Sequence, residues 1–316
     1  YLENKLHIKL EIPEFESDPE KGYMGVETSV NHLIRDLRNG TIDGVYMPNT
    51  RWFYGEEKGG EIADRFAYQL AGLADIFVND AFGSWQAHAS TVNVAKYLPP
   101  FAGYLMQKEI ENLNRIYKAQ QPLVAVVAGA KFDTKIQPLY ALMEKADYLI
   151  LGGVIYNAYL SAKYGVKIKG VSDEDLRLAK EFVNYTSKHK GKLIELPHII
   201  ESDTMEEKKE GKYRKIDISE LKEGDELNYV VDVASSSFEE ENVAGVFHKA
   251  KTIFVNAVMG YTPHFNEGTI ALDNLIDENQ KASKLYGGGD TMQELKRLLP
   301  GLYIMALDHP KYYIFT

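Results

Sequence analysis

Leu123-Val124-Ala125-Val126-Val127-Ala128-Gly129-Ala130-Lys131-Phe132-Asp133-Thr134-Lys135 is the stretch that decides the fold. Its first five residues are a valine-rich apolar run of strand length. Small residues follow, which let a planar or phosphate-bearing ligand come close to the backbone. From 133 to 145 the pattern turns helical, so the chain passes from strand to helix through a small-residue turn. The start of such a helix offers free N–H groups and the positive end of a dipole to an anion. Lys131 and Lys135 are four residues apart, which predicts that they share one face of the first helical turn. Two ammonium groups there repel each other unless an anion joins them. The pair is either an anion clamp or two solvated surface charges, and the strand before it tilts the reading toward the clamp.

The same rhythm runs outward on both sides. Downstream, the pattern predicts strands at 148–151, 192–196, 252–255, 284–286 and 302–306. Helices are predicted at 173–189, 238–250, 268–278 and 291–299. Strands alternating with helices pair in parallel through right-handed crossovers, so a doubly wound α/β sheet of six strands is expected from Leu123 onward. The polar segment 201–227 reads as a surface excursion with little chemistry. Upstream lie helix candidates at 28–37 and 62–73, a strand candidate at 44–48 and a short, buried strand at 75–78. A helix from about 105 to 117 is the natural connector between two lobes.

At 316 residues the chain is long for one core, and two domains are expected. A net charge of -10 argues against a nucleic-acid partner. With no Cys there is no disulfide, no thiolate metal site and no cysteine nucleophile. No apolar run reaches bilayer length and no signal-peptide pattern is present, so no membrane partner is expected; the chain is separately expected to be a monomer and cytoplasmic. The chain opens on Tyr1, and Tyr312-Tyr313-Ile314-Phe315-Thr316 stops without a turn, so both ends are expected to be cut.

Three further constellations could carry chemistry. Gly287-Gly288-Gly289-Asp290-Thr291 follows a strand and precedes a helix. It is either an anion-binding turn, with Asp290 able to hold Mg²⁺ and Thr291 a phosphate oxygen, or a flexible loop in which Asp290 caps the helix. In Val255-Asn256-Ala257-Val258-Met259-Gly260, Asn256 at a strand end either orients a nucleotide or satisfies local backbone. In Asn49-Thr50-Arg51-Trp52-Phe53, Arg51 is either an anion clamp or a surface ion pair. The eight histidines show no metal spacing, and His88 reads as structural. Neither a Gly-x-Ser-x-Gly elbow nor a G-x-G-x-x-G fingerprint occurs, although Gly152-Gly153 matches half of the latter.

Several segments, in order, resemble phosphoglycerate kinases over roughly the whole chain. They are Pro48-Asn49-Thr50-Arg51-Trp52, Asn79-Asp80-Ala81-Phe82-Gly83 and Ala87-His88-Ala89-Ser90-Thr91. Next come Ala102-Gly103-Tyr104-Leu105-Met106-Gln107-Lys108-Glu109, then Ala128-Gly129-Ala130-Lys131 with Lys135. Gly152-Gly153-Val154, the Asn256 to Gly260 segment and the unchanged Gly287 to Thr291 turn complete the series.

The resemblance implies two Rossmann-like lobes, the first of them incomplete. An acid-substrate lobe would occupy 1–104, a connector helix 105–120 and a nucleotide lobe 121–316. It implies phosphoryl transfer between ATP and 3-phosphoglycerate, with Mg²⁺ accompanying ATP or ADP. Lys131 would steady the transferring group and Lys135 would hold nucleotide phosphate. Asp290 would hold Mg²⁺, and Arg51 the acid substrate. Gly129, Gly153, Asn256, Gly287, Gly288, Gly289 and Thr291 would complete the nucleotide site.

The chain also departs from the family pattern. Ser84-Trp85-Gln86-Ala87-His88 is one residue shorter than the family's segment and lacks its arginine. Pro263 stands where the family has a ribose-binding glutamate, and Val154 replaces a glycine. Asp232-Val233-Ala234-Ser235-Ser236-Ser237 alone represents the family's Asp-x-Gly-Pro-x-Ser. These departures define the alternatives: a kinase-like protein with a binding or assembly role, or an altered nucleotide preference.

Overall fold

The structure, a computed structural model, describes residues 1–26, 29–84 and 86–315. Its contacts divide the chain into two compact units, Tyr1–Ile110 and Glu111–Thr316, and the division falls inside the helix Tyr104–Tyr117.

The second unit is built on a six-stranded sheet. Its strands lie in the order Leu193–Ile194, Tyr148–Gly152, Leu123–Gly129, Thr252–Asn256, Ser283–Gly287 and Tyr312–Phe315, with every adjacent pair parallel. Residues 123–128 are all buried, as a continuous apolar run in a covered parallel sheet requires. Registers run from Thr252↔Leu123 to Asn256↔Val127 on one side and from Val124↔Tyr148 to Ala128↔Gly152 on the other. Because the strands are parallel, their carboxyl ends line one edge, where open α/β sheets gather ligands.

Several expectations are corrected here. Residues 302–306 are helical, inside Pro300–Asp308, and the sixth strand is Tyr312–Phe315. A five-residue apolar run does not distinguish helix from strand, and Pro300 starts the helix where its missing N–H costs nothing. The segment 201–227 carries strand structure. His198–Ser202 pairs antiparallel with both Tyr213–Asp217 and Tyr229–Val233, and Glu226–Leu227 pairs with Lys167–Ile168. Charge disguised this pattern because the charge is paired. Buried Glu201 takes Arg214 Nε at 2.6 Å and the Asn228 N–H at 2.7 Å.

The helix expected from 133 begins at Ile136. Phe132 is fully buried, edge-on to Phe182 with 5.8 Å between ring centroids, and its N–H donates to Asp175 at 2.7 Å. That anchor holds the preceding residues in a turn. Lys131 therefore precedes the helix and Lys135 is its N-cap residue, so the two do not share a helical face.

The first unit has shorter ladders. Leu10–Glu11 pairs in parallel with Gly44–Val45, and Phe77–Asn79 with Pro100–Ala102; Ser17–Asp18 pairs antiparallel with Gly22–Tyr23. Among the described residues its strands join only in twos. Its core gathers on the helix Gly60–Ala71, whose Ala63, Phe66, Ala67 and Ala71 fall on one face, with Phe53 stacked on Phe66 at 4.8 Å. The strand expected to be buried at 75–78 spans Phe77–Asn79, and Val78 is 52% exposed, because a two-stranded ladder leaves that side chain to solvent. The helix expected from 28 spans Ser29–Arg38; Thr28 itself, like Trp85 and Thr316, lies outside the described residues. Among the described residues no helix is long and apolar enough to cross a membrane.

Candidate functional site

At the carboxyl edge of the large sheet, the turns after four strands surround a cavity of about 800 Å³. The strand Leu123–Gly129 contributes Gly129 and the turn that carries Lys135. Thr252–Asn256 contributes Asn256, Tyr148–Gly152 leads to Gly153, and Ser283–Gly287 leads to Gly288, Gly289, Asp290 and Thr291.

A chain of hydrogen bonds ties these turns together. Lys135 Nζ donates to Asn256 Oδ1 at 2.8 Å, and Asn256 Nδ2 donates to the Gly287 carbonyl at 3.1 Å. Asn256 thus holds a cation on one side and fixes the next strand end on the other. Burial pushes the Lys135 amine below its usual value, and the negative charge of Asp290 opposes that shift. An ammonium group drawn partly out of water, with one amide oxygen as partner, is a favourable place for an anion.

The glycine turn is shaped by the same asparagine. Gly288 has φ +97°, and a Cβ there would meet Asn256 Nδ2 at 2.8 Å, so both backbone and space require glycine. The helix Gly289–Leu298 starts at once, placing Asp290 and Thr291 in its first turn. Gly153 has φ +61° and lies against Gly129, whose carbonyl oxygen would be 3.1 Å from an added Cβ. A cradle of small residues beside a helix N-terminus suits phosphate.

Among the described residues no cluster of three His, Cys, Asp or Glu side chains forms a ready-made metal cage. Asp290 lines the cavity as an exposed carboxylate and forms no ion pair among the described residues. A single hard oxygen ligand of this kind suits Mg²⁺, which keeps water and shares its coordination with substrate phosphates.

Of the residues singled out from sequence, Gly129, Lys135, Gly153, Asn256, Gly288, Gly289, Asp290 and Thr291 line this cavity. Gly287 is buried behind it, and its carbonyl receives the Asn256 amide. Lys131 is exposed and is not part of the lining. Arg51 belongs to the first unit, where it is exposed, with Nε 3.3 Å from Glu57.

The Asn79-Asp80 pair is accounted for by local structure. Asn79 Nδ2 donates to the Thr91 carbonyl at 3.1 Å, its Oδ1 accepts the Ala81 N–H at 3.0 Å, and Asp80 accepts the Met106 N–H at 2.9 Å at the start of the helix Tyr104–Tyr117. Sequence reasoning assigned no site role to one side of the cavity. Asp232, Met205 and Tyr229 line it from in and beside a segment taken for a surface excursion. A signal existed in the apolar run at 229–233, which carries one acid.

Comparison with known proteins places this geometry in a family. The phosphoglycerate kinase family model matches residues 21–301. The phosphoglycerate kinase of Dictyoglomus turgidum is 34% identical over 276 residues, covering 85% of this chain and 66% of its own length. That of Azorhizobium caulinodans is 36% identical over 260 residues, covering 79% of this chain and 63% of its own. The chain thus spans just under two thirds of the length of these curated relatives. The solved phosphoglycerate kinase of Coxiella burnetii superposes with a TM-score of 0.69 at 29% identity, over 100% of this chain and 73% of that one. The enzyme of Pyrococcus horikoshii shares the fold at TM-score 0.74 and 21% identity, over 100% and 75%. By family match, relatives and fold together, the chain belongs to the phosphoglycerate kinase family.

Proposed function

We propose that this chain transfers a phosphoryl group reversibly between ATP and 3-phosphoglycerate, giving ADP and 1,3-bisphosphoglycerate, as a cytoplasmic enzyme. The observation that carries the reading is the convergence of Lys135, Asn256, the Gly288 turn and Asp290 on one cavity, in a chain of this family. In the step itself, a carboxylate oxygen of the acid forms a bond to the γ-phosphorus. The bond from that phosphorus to the β-phosphate oxygen breaks, and ADP leaves with the electron pair. No proton moves, so the protein contributes positioning and charge neutralisation.

The second unit is the nucleotide lobe. Lys135 holds nucleotide phosphate, and Asn256 orients it. The Gly287–Gly289 turn, the following N–H groups and Thr291 take phosphate oxygens. Asp290 would hold Mg²⁺, directly or through water; when bound, that ion neutralises phosphate charge. Lys131, whose side chain has no ion pair among the described residues, steadies the transferring group. Arg51 grips the acid substrate; its exposed pairing with Glu57 is worth only ~0–1 kcal/mol and is readily exchanged for a substrate carboxylate or phosphate. A purely binding or assembly role is not favoured, because these relatives carry the enzyme's name and the phosphate-type residues share one cavity.

A coupled assay with ATP and 3-phosphoglycerate tests the proposal. We expect turnover, and a loss of roughly 10²–10³-fold in Lys135→Met, the size typical of removing one preorganised charge-stabilising donor. Turnover no higher than that of Lys135→Met would end the kinase reading.

A further inference from the structure

We propose that Asp232 is the positioning residue of this cavity: its carboxylate pins the connection between Asn256 and the helix Glu267–Glu278 onto the strand Tyr229–Val233, and so sets the wall against which nucleotide binds. The nucleotide-facing role of the wall rests on the kinase reading; the fastening of the backbone by Asp232 does not.

The geometry is specific. Asp232 lies in the antiparallel three-stranded sheet, one residue from an irregularity in its register, and is 3% exposed although it lines the cavity. Its Oδ2 accepts the Gly268 N–H at 3.2 Å and its Oδ1 the Val233 N–H at 2.8 Å. Gly268 is the second residue of a twelve-residue helix, so the carboxylate sits at the positive end of a dipole. The chain returns to the same strand once more, where the Tyr261 N–H donates to the Val231 carbonyl at 2.7 Å. The cavity wall of Met259, Gly260, Tyr261 and Thr262 runs through the Tyr261 fastening and leads on to the one at Gly268. The approach leaves no spare room. A Cβ at Gly260 would meet Asp232 Cγ at 2.6 Å, and one at Gly268 would meet its Oδ1 at 2.5 Å. Backbone closes the same space, with the Phe265 carbonyl closer still to a Cβ at Gly260 and the Val233 carbonyl 2.5 Å from one at Gly268, so the carboxyl group is one of two walls that exclude a side chain at each glycine.

Charge gives the clamp a readable signature. Burial pushes the Asp232 carboxyl up to about 7; the Gly268 and Val233 N–H groups pull it down, Glu267 raises it and Lys208 lowers it. Lys208 and Glu267 are themselves ion-paired. The neutral carboxyl has one strong acceptor oxygen and the carboxylate two, so ionisation tightens the second backbone bond.

The test begins without nucleotide. In the wild-type chain, the amide resonances of Gly268 and Val233 should titrate together with a midpoint about 7. In Asp232→Asn, which turns one acceptor into a donor facing an N–H, the titration should vanish. Hydrogen exchange of the 257–268 segment should quicken at least tenfold relative to the Leu123–Gly129 strand. Calorimetry with ADP should then show affinity weakened about tenfold, with the wild-type pH dependence flattened. Two amides that do not titrate together, or exchange unchanged in the variant, overturn the clamp. Faster exchange with unaltered ADP affinity overturns its positioning role. If the wild-type chain binds no ADP while the amide results hold, the kinase reading fails and the clamp stands. The wild-type titration decides the matter even if the variant does not fold.

Discussion

The two units are made from the same kinds of segment and reach different ends. In the second, a strand of seven residues lies inside a six-stranded parallel sheet, and residues 123–128 are buried. In the first, strands of two or three residues pair only in twos among the described residues, and side chains such as Val78 and Phe101 face solvent. Apolar content is therefore not what separates them. A strand flanked on both edges and covered on both faces turns each apolar residue into core, whereas the same residues in an isolated ladder remain surface. The phosphate-type cavity sits on the unit whose six-stranded sheet sets four strand-end turns side by side.

The sharpest way to break this contrast is a truncation inside the larger core. Phe247 is 0% exposed and belongs to the main cluster, so Phe247→Ala should cost ~3–5 kcal/mol in chemical denaturation. A loss below 1 kcal/mol would mean that the large sheet is not the tightly packed body described.

A smaller effect is expected from a residue that the same core tolerates. Lys284 is 0% exposed, on a central strand; its ammonium lies 4.6 Å from the centre of the Tyr312 ring and has no hydrogen-bond acceptor among the described residues. Burial pushes its amine below the ordinary 10.5, Asp277 opposes this and Lys311 adds to it. Between the native and unfolded values the unfolded chain binds the extra proton, so stability rises as pH climbs toward 10.5. Lys284→Met should stabilise the protein by ~1–2 kcal/mol at pH 7, and the gain should shrink on the alkaline side. Melting curves across pH 7 to 10 would show it, and a destabilised variant would mean that the amine has a partner.

The smallest effect belongs to the first unit. Val78→Ser should shift stability by no more than ~0.5 kcal/mol, since the side chain is already in water. A cost of 2 kcal/mol or more would show that the ladder Phe77–Asn79 carries a covered face and would erase the contrast.

Particular residues show why some of this was legible in the chain and some was not. The glycine turn could be read directly, because a Gly-Gly-Gly-Asp-Thr run between a strand and a helix has few other conformational uses. The run 302–306 reads as a strand in the sequence and is helical in the structure, because five apolar residues fit either period and only the parallel ladder from Ser283–Gly287 to Tyr312–Phe315 settles which segment is the sixth strand. The charged segment 201–227 hid its strands because burial of Glu201 depends on Arg214 and Asn228, 13 and 27 residues away.

By itself the sequence determined the alternation of strand and helix in the second unit and the strand-end turns that carry small residues. These follow from local periodicity and from the conformations that only glycine adopts freely. The tertiary structure alone decided that Lys135 rather than Lys131 reaches the cavity, that Asp80 caps a helix and that Asp232 pins a wall. A side chain's partner depends on the register between strands and on where a helix starts. Lys135 and Asn256 are 121 residues apart and meet only because their strands are neighbours in one sheet.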